Sequence, residues 1–247
     1  MRRALGLQAS WMQEENIHMK KAVIACVLSM VASSAFATLS RDEVKRLSDA
    51  GTILNELRNS TEKAIPEDLW GKAQCVIVIP SMKKAAFVVG GEYGSGVMSC
   101  RTNDWSAPVF MQLAKGSWGL QIGAQEVDLV LLVMNRRGVD KLLEDKVSLG
   151  ADASVAAGPL GRSASAATDA QLKAEMLSYS RSHGVFAGID LSGGVLRPDK
   201  EALERAYGND VTARDVVTGT KHVAALEAAN PFMRALKQDV RATTGRK

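Results

Sequence analysis

Residues that carry metal and redox chemistry are scarce in this chain of 247 residues, which has three histidines, three cysteines and only 5% aromatics. No H-x-x-x-H or C-x-x-C spacing occurs, so a zinc or haem site has nothing to stand on. The nucleophile elbow G-x-S-x-G and the phosphate-cradling glycine loops are missing as well. His183 sits in a turn with no legible serine partner, and Glu92, Asp128, Asp152 and Asp190 read as structural acids on strands. These absences argue against an enzyme and call for no cofactor and no metal. An excess of one charge is lacking too. The formal net charge is +4, and residues 1–37 hold four basic and two acidic side chains of it, which leaves +2. A balance that near neutrality gives no case for nucleic acid. Attraction to an anionic surface must come from local patches. The chain also lacks repeats, coiled-coil heptads and linkers. Its most hydrophobic segment beyond residue 37, Asp128 to Met134, is far too short to span a bilayer. What remains is ordinary globular composition, 46% hydrophobic and 23% charged, in keeping with one domain around a real core.

The most legible local signal is N-terminal. Met19-Lys20-Lys21 forms a positive head, Ala22 to Val31 an apolar run, and Ala35-Phe36-Ala37 a small-residue cleavage pattern. That is the pattern of a secretory signal peptide. Residues 1–37 are thus expected to be an upstream extension and signal peptide, with Met19 as the start, and 38–247 the working domain. Export predicts a periplasmic protein peripheral to the envelope membrane. An oxidising compartment permits a disulfide between Cys75 and Cys100; two buried free thiols are the other reading.

Hydrophobic periodicity predicts α+β architecture: a mainly antiparallel, twisted sheet or partly closed barrel, an N-terminal amphipathic helix and C-terminal helices. Ser40 and Glu43 make a capping box, and Val44, Leu47, Ile53, Leu54 and Leu57 fall roughly on one face of the helix that follows. Strands are expected at Cys75–Ile79, stopped by Pro80, and at Ala85–Val89, with Lys83-Lys84 in the turn between them. Gly90, Gly91, Gly94 and Gly96 read as a turn leading to a strand over 97–101. A hairpin turned at Lys115-Gly116-Ser117 follows. Its second strand puts Gly119, Gln121, Gly123 and Gln125 on one face, a floor that leaves room for close approach. Strands over 128–134, 176–180 and 185–191 and three C-terminal helices complete the pattern.

The basic residues are the remaining lead. Lys45 and Arg46 lie on the first helix, while Lys83, Lys84, Arg136 and Arg137 sit at strand exits. Gathered at one end of the sheet they would hold anionic head groups, each charge contributing about 1 kcal/mol near an anionic surface.

Several spaced motifs then point in one direction: Cys75-Val-Ile-Val-Ile-Pro80, Phe87-Val-Val-Gly-Gly-Glu-Tyr-Gly-Ser-Gly96, Trp105-Ser-Ala-Pro108, Gly119-Leu-Gln-Ile-Gly123, Asp128-Leu-Val-Leu131, Gly158-Pro-Leu-Gly-Arg162, Tyr179-Ser-Arg-Ser-His-Gly184 and Phe186-Ala-Gly188. In this order the set resembles the SYLF lipid-binding domain family, whose fungal members are also labelled actin regulators. The resemblance runs from about residue 70 to Gly208. It implies a non-enzymatic domain that binds membrane phospholipids, eukaryotic relatives favouring phosphoinositides through an N-terminal amphipathic helix. The helix from Ser40 to Arg58 is the positional match, with modest basic content. An exported chain of bacterial style departs from the cytosolic setting of actin regulation, so the part that transfers is phospholipid binding at the cell envelope. The alternative expectation is a structural protein that holds a partner or small apolar ligand on its glycine-rich sheet face.

Overall fold

A computed structural model describes residues 39–59, 65–86, 89–118, 123–160, 173–182 and 185–238. The signal-peptide segment, Phe87, Gly119, Gln121, Arg162, His183 and Val240 lie outside the described residues. The chain from 39 onward is α+β, built on one mixed sheet that curls into a half-barrel.

The first helix, α1 (Arg41–Asn59), begins with the expected capping box. The Ser40 N–H donates to Glu43 Oε2 (2.7 Å), and the Glu43 N–H donates back to Ser40 Oγ (3.3 Å). Its buried face reads Glu43, Leu47, Ala50, Ile53, Leu54, Leu57. Val44 is 42% exposed and does not belong to it. One residue is 100° of helix, and the turn that brings Glu43 inward carries Val44 out. The buried Glu43 carboxylate accepts from Arg205 Nε (2.8 Å), so its charge is compensated. A short helix, α2 (Glu67–Lys72), follows with Pro66 as its N-cap.

Four long strands come next: β1 (Cys75–Ala86), β2 (Val89–Cys100), β3 (Val109–Trp118) and β4 (Gly123–Val133). Where the sequence suggested strand, turn and strand, each is a single strand. Pro80 does not stop β1; the pairing register shifts between Ile79 and Met82, a bulge that absorbs the missing N–H. Lys83 and Lys84 lie in the strand, and so does the glycine cluster of β2, with Gly91 opposite Gly116 of β3. Lys115-Gly116-Ser117 likewise is strand rather than turn.

After β4, Asn135 caps α3 (Arg136–Leu142) by accepting from the Gly138 N–H (2.9 Å). Short strands β5 (Val147–Ser148) and β6 (Val155–Ala157) precede β7 (Met176–Ser182), β8 (Val185–Gly188) and β9 (Gly194–Pro198). The sheet order is β5-β9-β3-β2-β1-β4-β7-β6, with β8 also on β7; β6 with β7 is the parallel pair. Helices α4 (Lys200–Tyr207), α5 (Ala213–Thr218) and α6 (Asn230–Lys237) close the described chain.

The core lies on β1 and β4. Cys75 to Ile79 and Leu129 to Val133 are buried on both faces, which is why they read as continuous apolar runs. Cys75 and Cys100 face each other across β1 and β2 and are joined by a disulfide. Helix α1 packs on β1, β2 and α6. Gly51 permits the close crossing, since a Cβ there would meet the Pro231 carbonyl carbon at 2.7 Å.

Candidate functional site

The bulge in β1 shapes the site. Ser81 has φ +49°, a left-handed conformation that costs a non-glycine residue strain. Its N–H donates to Asp128 Oδ1 (2.9 Å), while Arg181 Nε donates to Asp128 Oδ2 (2.8 Å). Arg181 also pairs with Glu56 of α1, so one carboxylate ties the bulge to β4, β7 and the helix. Burial raises the Asp128 pKa, with the charges of Asp49 and Glu126 adding to it and the Ser81 hydrogen bond opposing. On the β2 side the bulge presses onto glycine. A Cβ at Gly94 would stand 2.5 Å from Ile79 Cγ2, and one at Gly96 would stand 2.3 Å from the Val78 carbonyl oxygen. These glycines make room for the chain itself, Gly94 for the Ile79 side chain and Gly96 for the Val78 backbone. Gly188 is covered in the same way by Gly158, whereas Gly91 and Gly116 face open space.

Between the bulge and α1 runs a groove of about 370 Å³, at the small end of ligand sites. Helix positions Asp42, Lys45, Arg46 and Asp49, spaced three and four apart on one face, form one wall; Ser81, Lys83, Tyr93 and Ser95 belong to the other. Three of the six basic residues singled out in the sequence therefore meet here. Lys45 pairs with Asp49 (2.5 Å), whose hydrogen bond and charge raise its pKa. Arg46 turns inward, only 14% exposed, to Asp199 (3.3 Å) and over the Phe110 ring. Lys83 is exposed. Tyr93, 48% exposed, stands opposite Lys83 in the β1–β2 register and supplies an aromatic rim.

The other three basic residues are placed elsewhere. Lys84 is in the next register row and pairs with Glu92 (3.5 Å). Arg136 and Arg137 do not join the lysines at one end of the sheet. Antiparallel pairing sets Val133 beside Cys75, at the far end of β1 from Lys83, and eight residues of strand span roughly 25 Å. There Arg136 pairs with Asp140 (3.3 Å) and Arg137 approaches Glu175 (3.8 Å). Asp42, Asp49, Ser81 and Tyr93 were not anticipated as site residues. The usable signal was Pro80, because proline inside a strand pattern marks a bulge.

A larger cavity of about 720 Å³ lies by α2 and the end of α6. Its cations are already engaged: Arg58 with the Leu236 carbonyl (3.2 Å), Arg101 with that of Gly71 (3.1 Å), Lys237 with Asp104 (2.6 Å). Arg58 and Arg101 also stack over Trp70 and Trp105. It is a cross-braced seam, and the groove at the bulge is the better candidate. Among the described residues no helix is long and apolar enough to cross a membrane, and no three His, Cys, Asp or Glu side chains cluster as metal ligands would.

Fold and groove define an α+β domain organised around a bulged strand. The chain belongs to the Ysc84 family, described as Las17-binding protein actin regulator, whose profile matches residues 114–239, from β3 through α6. It is 34% identical over 184 residues to the SH3 domain-containing protein PJ696.02 of Schizosaccharomyces pombe, covering 72% of this chain and 42% of that protein. LAS seventeen-binding protein 3 of Saccharomyces cerevisiae is 34% identical over 71% of this chain and 39% of its own length. The SH3 domain-containing YSC84-like protein 1 of Homo sapiens is 34% identical over 66% and 48%. The chain thus spans under half the length of these relatives.

Proposed function

We propose that this chain is a non-enzymatic phospholipid-binding module of the bacterial cell envelope. It holds the anionic phosphate of a head group in the groove between α1 and the β1 bulge. The observation that carries the reading is the convergence of Lys45, Arg46 and Lys83 on one small groove beside the exposed ring of Tyr93. The resemblance of the chain's spaced motifs to the SYLF lipid-binding domains supports it. Export is supported by the signal-peptide pattern over 19–37 and by the Cys75–Cys100 disulfide, a bond at home in oxidising compartments.

The mode of contact differs from that of an inserting helix. Leu47, Ile53, Leu54 and Leu57 are buried against the protein's own core. Moving them into a membrane would uncover the apolar surface of β1, β2 and α6 on which α1 packs, at a cost in exposed apolar area. In this proposal α1 stays docked and contributes its charged face. Co-sedimentation with phospholipid vesicles tests it. Replacing Lys45 and Lys83 together by Glu is expected to weaken binding at least thirtyfold, since each lysine is worth about 1 kcal/mol at a membrane surface. Unchanged binding in a variant with a native circular dichroism spectrum would refute the groove as the contact.

A further inference from the structure

The charges in the groove are not all of one sign, and they divide into two kinds. Lys45 with Asp49, and Arg46 with Asp199, are internal pairs whose demands are met. Among the described residues, Lys83 and Asp42 have no ion pair or side-chain hydrogen bond, yet both line the groove. A polyanionic head group would gain one uncommitted cation here and meet the unpaired carboxylate of Asp42 as it entered. A zwitterion suffers no such conflict. Its phosphate goes to Lys83, and its cation has a carboxylate and the exposed face of Tyr93, which attracts cations through the ring quadrupole.

Carboxylates also discriminate between cations. A primary ammonium offers three N–H donors, as a lysine does, and satisfies carboxylate acceptors directly. A trimethylammonium has no N–H and gains only Coulomb and ring attraction. Resting on the phospholipid reading above, we infer that the groove selects the phosphoethanolamine head group, with Lys83 on its phosphate and Asp42 and Tyr93 on its ammonium.

The test compares vesicles of phosphatidylcholine alone with vesicles containing one third phosphatidylethanolamine or one third phosphatidylglycerol, using the whole protein. Binding is expected to rise at least fivefold with phosphatidylethanolamine and less with phosphatidylglycerol. The exposed Asp42→Asn is expected to abolish the ethanolamine preference, bringing phosphatidylethanolamine vesicles level with phosphatidylcholine vesicles. Lys83→Gln is expected to lower binding to all three. A preference for phosphatidylglycerol that Asp42→Asn strengthens would overturn the head-group inference and leave the phospholipid reading standing. So would equal binding to all vesicles with Asp42→Asn silent. No binding to any vesicle would overturn both.

Discussion

Glycine does two different jobs within eight residues of β2, and the difference is one of what lies above each Cα. At Gly96 an added methyl would collide with the Val78 carbonyl oxygen, part of a backbone that the bulge has pushed close. At Gly94 it would meet a side chain instead, Ile79 Cγ2. At Gly91 nothing stands within 4 Å. Overpacking a filled site costs about 1–3 kcal/mol, whereas an open surface position changes stability by about 0.5 kcal/mol or less. Gly96→Ala is therefore expected to lower the unfolding free energy by at least about 2 kcal/mol in urea titrations, with Gly91→Ala close to wild type. Equal effects would mean that the glycines serve the strand's conformation and not the bulge. Gly94, Gly96 and Gly188 are roofed by the chain itself, which residue identity alone could not disclose, while Gly119 and Gln121 of the glycine floor lie outside the described residues.

At the scale of elements, what was legible depended on whether the deciding interaction was local. The capping box at Ser40 is satisfied within three residues and lies where the sequence placed it; the capping box at Thr212, the glycine stop at Gly208 and the proline opening of α6 are equally local. The doubly covered runs of β1 and β4 were legible for a similar reason, because burial on both faces leaves no polar alternation. The long strands were not. Pro80 and the glycines of β2 carry turn signals, and those signals lose here to cross-strand pairing, which is non-local. The groove inherits that blindness: by local signals Lys83 reads as a turn residue, and Asp42 and Tyr93 gain their role only when α1 lies against the bulge. The β1–β2 pair is also where covalent bracing can be measured. The disulfide closes a loop with a sequence separation of 25, worth roughly 3 kcal/mol by loop entropy. Replacing Cys75 and Cys100 together by Ala is expected to move the guanidinium midpoint down by that equivalent. Wild type in excess reductant should shift likewise, and a shift below 1 kcal/mol would mean that packing alone fixes this register.

For the molecule as a whole, the decisive consequence of antiparallel pairing is polarity. The same β1 strand that carries Cys75 beside Val133 and the arginines of α3 carries Lys83 toward its other end. The two basic clusters thus sit at opposite poles of the sheet, roughly 25 Å apart. Each pole has its own chemistry. Arg136 and Arg137 are highly exposed yet face Asp140 and the buried Glu175, which also accepts from Lys141 Nζ (3.0 Å) and the Ser154 N–H (2.9 Å). That pole is an ion-paired brace of the sheet. The groove pole holds the uncommitted Lys83, the exposed Tyr93 and open strand surface around Gly91 and Gly116. If binding follows this polarity, charge reversal at the two poles must have unequal effects despite equal changes in net charge. Arg136→Glu with Arg137→Glu is expected to leave vesicle binding within twofold of wild type. Lys45→Glu with Lys83→Glu, the same change of four charge units, is expected to cost thirtyfold or more. Repeating both titrations across salt concentrations separates local contact from long-range attraction. A groove contact makes the lysine variant differ at 0.3 M salt, where the Debye length is well below the roughly 8 Å of physiological conditions. Equal losses in the two variants, vanishing together with salt, would show that net charge and not the groove governs association.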